Sequence, residues 1–273
     1  MHQISIGTVR LDLLLDAEIG ISGDSVFATA QRREWTALVT ADREGRFTVP
    51  VRPLLIRGQD TITLVDTGFG DIASFTDATV PTGCTLDCLS KLGVTADDVD
   101  MVIITHAHGD HIQGNMRRAD GRNIPAFPNA EFVMQRAEAD ATREDAGEDW
   151  EVYFHQIDRE GRLRLLDGDA ALTETIGCVL TQGHTVGHQS VVISDGGESA
   201  CYLGDLALHS LNLQKPEWGA DWAWSRDHDR ENRIKMREWA RDNRGILILP
   251  HDGENAFVTV GDDLSVRPFS AGA

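Results

Sequence analysis

Residues 105–114 read THAHGDHIQG, which puts three histidines and an aspartate into His106–His111. The residues just before them, VDMVII, are almost wholly apolar. A short apolar run of this kind reads as a buried strand, so the polar cluster stands at a strand exit. Residues i and i+2 of an extended segment point to the same side, so His106 and His108 can reach one ion. Gly109 lets the chain turn sharply, after which Asp110 and His111 can face a second point a few ångströms away. Four ligand-type side chains crowded at a buried strand end carry a desolvation cost that a metal offsets and a solvated loop does not explain.

Three later positions repeat the placement. His184 follows the strand-like run IGCVLTQG, Asp205 follows SACYLG, and His251 follows GILILP. A lone His or Asp after a strand is ordinarily a cap or turn residue. Four repetitions in one chain point instead to strand ends that converge on a shared edge.

The rest of the chain supports such a frame. ISIGTVRLDLLLD, FTVPVRPLLIRG and DTITLVDTG read as strands, with a turn at Arg57–Asp60. TLDCLSKLGV has helical spacing at Leu86, Leu89 and Leu92, with Gly93 as its stop. AEFVMQ is a strand running into a helix, and residues 140–160, with Trp150, Tyr153 and Phe154, read as a helix or a covering loop. GRLRLLDG, ALTETIGCVLTQG, QSVVISDGG and SACYLGD are successive strands. DHDRENRIKMREWARDN reads as an amphipathic helix with Ile234 and Trp239 inward, followed by the strands GILILP and FVTVGDDLSV. Strands first, then helix and strand, occur in each half. The expectation is an α/β fold with two sheets packed face to face, helices outside, and a single domain over residues 1–273.

Composition narrows the partners. With 25 basic against 44 acidic residues, the 273-residue chain has a net charge of −19. That balance repels nucleic acid and anionic membrane. No apolar run reaches membrane-span length and the N-terminus lacks the pattern of a signal peptide, so a soluble cytoplasmic protein is expected. Cys84 and Cys88 form a lone CxxxC, poor support for structural zinc. Cys178 and Cys201 sit in apolar strands and read as core residues.

Together, LVDTG at 64–68, THAHGDH at 105–111, GHTVGH at 183–188, the GD at 204–205 and the late strand ending in His251 resemble the metallo-β-lactamase-fold hydrolases, over about residues 45–255. The resemblance implies a four-layer αβ/βα sandwich of two mixed sheets with the metals at one edge. It implies that His106, His108 and His184 hold one metal, that Asp110, His111 and His251 hold a second, and that Asp205 bridges them. Two divalent ions, zinc first, with iron, manganese or cobalt as alternatives, would activate a shared water and polarise an ester-type carbonyl. Asp66 reads as an acceptor that orients a ligand imidazole or as a strand-end turn residue. His188 reads as a structural partner of its turn.

Within that family the local sequences FTVPVRPLLI, LGVTADDVDMVIITHAHGDH, GHTVGHQSVVI and GDLALHSLNLQKPEW resemble the N-acyl-homoserine lactonase and methyl-parathion-hydrolase-like branch. The implied reaction is attack of metal-held hydroxide on a small apolar ester or lactone, with Asp110 or Asp205 relaying a proton. An organophosphate or aryl-ester hydrolase and an iron sulfur dioxygenase are the alternatives. Asp205 argues against a true zinc β-lactamase, and His108 against the flavodiiron members. Two departures stand out: Leu208, with His209 next to it, occurs where lactonases carry a tyrosine, and Gln113 where glycine is commoner. His209 reads either as a hydrogen-bond donor in catalysis or as a loop cap. Trp218, Trp222 and Trp224 read as walls of a substrate pocket or as packing, and a monomer or homodimer is expected.

Overall fold

The computed structural model describes residues 2–70 and 83–270. One seven-stranded sheet runs in the order His2–Ile6, Val9–Leu13, Leu54–Arg57, Ile62–Val65, Met101–Ile103, Glu131–Gln135 and Leu163–Leu166. Its first four strands are antiparallel neighbours, and the remaining pairings are parallel. The second sheet runs Ala170–Ala171, Ile176–Leu180, Gln189–Asp195, Glu198–Tyr202, Ile246–Ile248, Phe257–Val260 and Val266–Pro268. Only its Glu198–Tyr202 and Ile246–Ile248 pairing is parallel.

The side-chain period of two explains the layers. Leu54, Ile56, Val65, Ile103 and Val133 point inward and meet Val191, Ile193, Ala200, Tyr202, Ile246 and Ile248 of the facing sheet. The alternate residues Leu55, Leu64, Val102, Phe132 and Met134 point outward under Leu89, Ala139, Phe154 and Ile157. On the far side Cys201, Leu247 and Val258 pack under Leu213, Met236 and Ala240 of the helices Ser210–Gln214 and Arg226–Asn243. Strands buried on both faces read as continuous apolar runs, which is why they are visible in the sequence. The result is the expected sandwich of two mixed sheets with helices outside.

Several elements differ from the sequence reading. ISIGTVRLDLLLD is a hairpin, His2–Ile6 against Val9–Leu13, because Gly7 at φ 55° turns the chain. FTVPVRPLLIRG divides between Arg46–Val51, in a small two-stranded sheet with Ala17–Ser22, and Leu54–Arg57 in the large sheet. The helix Arg226–Asn243 buries Asp229, Arg233, Met236 and Ala240, while Ile234 and Trp239 lie half-buried at its flanks. The cause is a buried ion pair. Arg233 bonds Asp229 and donates to the Leu206 and Pro216 carbonyls, fixing the segment after Asp205. Residues 136–159 form three helices, Arg136–Asp145, Gly147–Tyr153 and His155–Arg159.

Candidate metal centre

The strand ends bring all seven expected side chains together. His106 and His108 follow Met101–Ile103, and the short helix Gly109–Ile112 turns Asp110 and His111 toward the same edge. His184 follows Ile176–Leu180, Asp205 follows Glu198–Tyr202, and His251 follows Ile246–Ile248. Two groups result: His106, His108, His184 and Asp205, and Asp110, His111 and His251. Within each, the candidate donor atoms lie within 4.8 Å of one another.

Asp205 stands between them. Its Oδ2 is 3.2 Å from His184 Nε2 and 3.7 Å from His106 Nε2. Its Oδ1 is 2.9 Å from His251 Nε2 and 3.1 Å from His111 Nε2. Asp110 Oδ2 lies 3.5 Å from His111 Nε2 and 3.8 Å from His251 Nε2. His108 Nδ1 is 3.0 Å from both His106 Nε2 and His184 Nε2.

The outer nitrogens fix the tautomers. His111 Nδ1 donates to Asp66 Oδ2 at 2.8 Å, and His251 Nδ1 donates to the Pro50 carbonyl at 2.8 Å. Thr105 Oγ1 donates to Asp66 Oδ2 and is then free to accept from His106 Nδ1 at 3.0 Å. These three imidazoles therefore turn Nε2 lone pairs inward, toward one another and toward a carboxylate. Asp205 Oδ1 receives no well-aligned hydrogen bond despite being buried. With every ring neutral these facing acceptors would have no donor among them, a costly arrangement that bound cations or retained protons relieve. A donor set of imidazoles and carboxylates in this arrangement fits divalent cations.

Titration follows from the same geometry. Burial pushes His106 well below the ordinary histidine range, with His111 adding to the shift. Burial and the His184 imidazole bring His108 down to about 4. Burial also opposes charge on His111, but Asp110, Asp205 and Asp66 outweigh it and raise that imidazole well above its usual value. Burial would raise Asp205, yet His251, His111, His184 and His106 together hold it well below. Without cations the cluster retains protons on one side to balance its carboxylates.

Supporting contacts surround this core. Asp66, in left-handed backbone at φ 58° directly after the strand Ile62–Val65, accepts from His111 and from the Thr105 main chain at 2.8 Å, so it is both a strand-end turn residue and the hydrogen-bond partner of an imidazole. His188 stays out of both groups. Its Nδ1 bonds Thr181, and its Nε2 accepts the Asp205 main-chain N–H at 3.1 Å. Gly204, between strand and Asp205, sits at φ 55°, and a Cβ there would lie 2.8 Å from His188 Nε2.

His209 caps the helix Ser210–Gln214, its Nδ1 accepting the Leu211 N–H at 3.1 Å. Its ring packs edge-on against Phe27 and Phe47. Leu208 and Trp218 are buried with Phe27 and Trp35. Trp150, Tyr153 and Phe154 belong to the core above the first sheet. Trp222 and Trp224 are different: 38% and 55% exposed, they line a groove of about 540 Å³ with His108 and His184. Cys178 and Cys201 are buried, and no cysteine joins either group among the described residues.

Three buried acids carry no mark in the sequence. Glu138 bonds the loops of His106–His108 and His184–His188. Asp252 holds the N–H groups of Ser210, Glu254 and Asn255 beside His251. Asp16 collects Phe69, Cys84 and Thr85 near the Asp66 turn. Most of their partners are distant in sequence, so no local pattern points to them.

Comparison with known proteins gives this architecture a lineage. Residues 48–251 match the family model of the metallo-beta-lactamase superfamily. An N-acyl homoserine lactonase of a Bacillus species is 28% identical over 160 residues, covering 53% of this chain and 58% of the relative. The chain thus aligns with little more than half the length of the curated relatives it matches. The structure of a probable metal-dependent hydrolase from Staphylococcus aureus superposes with a TM-score of 0.85 at 19% identity, covering 99% of this chain and all of that one. AidC, a dizinc quorum-quenching lactonase, superposes with a TM-score of 0.81 at 22% identity, covering 100% of this chain and 98% of its own. At these identities the structural likeness establishes the fold.

Proposed function

This chain belongs to the metallo-beta-lactamase superfamily, and on that premise we propose that it is a dinuclear metal-dependent hydrolase that opens a lactone of the N-acyl-homoserine-lactone kind. One observation carries the dinuclear reading: imidazole Nε2 atoms converge from both sides on the two oxygens of buried Asp205. His106, His108 and His184 would hold the first cation, Asp110, His111 and His251 the second, and Asp205 both. Bound there, two divalent cations supply an activated water and polarise an ester carbonyl. Zinc suits these donors, as do iron, manganese and cobalt.

The chain's own groups do the rest. Asp66, Pro50 and Thr105 hold three imidazoles in the tautomer that leaves Nε2 free. Asp110, the more open of the two central carboxylates, would accept the proton given up by the attacking water and pass it to the leaving oxygen. Because His209 Nδ1 is committed to its cap, any donor role toward a substrate oxygen falls to its Nε2. The groove beside His108 and His184, walled by Trp222 and Trp224, takes the apolar arm of a small substrate. The lactone assignment draws on the N-acyl homoserine lactonase relatives. Among the described residues no helix is long and apolar enough to cross a membrane, and a small-molecule substrate accords with the charge of −19.

A panel of lactones, aryl esters and phosphotriesters tests the reading. Lactones should turn over fastest. Faster turnover of aryl esters or phosphotriesters would move the assignment to an aryl-ester or organophosphate hydrolase.

A further inference from the structure

Glu138 is the third residue of the helix Arg136–Asp145 and is 4% exposed. Both of its carboxylate oxygens are in use. Oε1 accepts the Ala107 N–H at 2.8 Å. Oε2 accepts from Thr185 Oγ1 at 2.7 Å and from the Gly187 N–H at 2.9 Å. Ala107 lies between His106 and His108, Thr185 follows His184, and Gly187 precedes His188. One carboxylate therefore joins the two loops that present every histidine of the first group. It also reaches Asp205 indirectly, through His188.

Two features show that this approach is built in. A Cβ on Gly187 would lie 2.3 Å from the Glu138 main-chain nitrogen, so only glycine lets the loop come this close. Burying a carboxylate costs several kcal/mol unless charge-assisted hydrogen bonds replace water, and all three of these donors come from the two candidate ligand loops. The second group rests on other supports, Asp66, Thr67 and Pro50.

We infer that Glu138 is a positioning residue for the first metal alone, clasping the His106–His108 and His184–His188 loops at the spacing one divalent cation requires. This rests on the dinuclear reading above. Outer partners that orient ligands are worth about 10- to 100-fold in metal affinity. The effect should fall on one of the two ions, whereas a general packing role would act on both.

The test is cobalt(II) titration of the metal-free full chain, followed by visible absorption, in the native protein and in Glu138→Gln and Thr185→Val. The native chain should take up two ions. Glu138→Gln should weaken one binding event about 10- to 100-fold and leave the other within about twofold. Thr185→Val, which removes one donor and keeps the carboxylate, should weaken the same event by less, and it carries the test if Glu138→Gln does not fold. Equal weakening of both events, or of neither, overturns the inference. If the native chain binds a single ion that Glu138→Gln weakens, the clasp stands and the dinuclear reading falls. If it binds none, both fall.

Discussion

His188 Nε2 accepts the main-chain N–H of Asp205 at 3.1 Å, so the residue at the centre of both ligand groups is anchored by a histidine that belongs to neither. His188 is completely buried, and burial, reinforced by the His184 imidazole, pushes it down to about 3. The folded chain thus requires the neutral ring. Above about pH 6.5 folded and unfolded states hold the same ring charge. As pH falls from about 6.5 toward 3 only the unfolded state takes up the proton, and stability is lost over that window. Replacing His188 with Gln, which can still accept the Asp205 N–H, should cost about 1–2 kcal/mol at about pH 7.5. Urea melts of the metal-free proteins should show the native chain losing its advantage as pH drops to about 4. Parallel pH curves for the two proteins would refute this account of His188.

Asp66 occupies left-handed backbone at φ 58°, a conformation that asparagine also tolerates. Asp66→Asn should therefore keep the fold while weakening the hold on His111 Nδ1. The expected loss is about 10- to 100-fold in affinity for the second cation, read by chelator competition, beside a fall of about 1–3 kcal/mol in the stability of the metal-free protein, because the amide NH2 cannot accept where the carboxylate did. Unchanged affinity for that cation would mark Asp66 as structural only.

The tryptophans of the long connection should separate by burial. Trp218 is buried beside Phe27, in T-shaped contact at 5.9 Å, so Trp218→Ala should destabilise by about 3–5 kcal/mol. Trp222→Ala and Trp224→Ala, at exposed positions, should change stability by less than about 1 kcal/mol. They should instead raise KM for lactones with long acyl arms. Unchanged KM across chain lengths would place the substrate arm elsewhere.

Much of the fold and of the candidate metal centre is legible in the sequence because buried ligand-type side chains break a local rule. A histidine or aspartate directly after an apolar strand is conspicuous, and His106, His184, Asp205 and His251 all stand there. The strands themselves show because both faces are buried, as Leu54, Leu55 and Ile56 illustrate. What stays hidden depends on contacts between distant segments. Glu138 meets partners 31, 47 and 49 positions away, and nothing near it distinguishes it from Glu144 on the same helix. The inward face of Arg226–Asn243 is concealed because its buried members include the Arg233–Asp229 pair, which looks like solvated charge in sequence. Trp35, fully buried against Phe27 and Gly23, carries no signal because its short helix has too few turns to show a period.

The most direct test of the central claim is metal content and lactone hydrolysis measured together on the native chain and on Asp205→Asn. The native chain should hold two divalent ions, lose lactone hydrolysis on chelation and regain it on reconstitution. Asp205→Asn, nearly the same in shape, should hold fewer than two ions and lose at least about 100-fold in kcat/KM, roughly 3 kcal/mol of transition-state stabilisation. Full activity in the chelated protein or in Asp205→Asn would contradict the account.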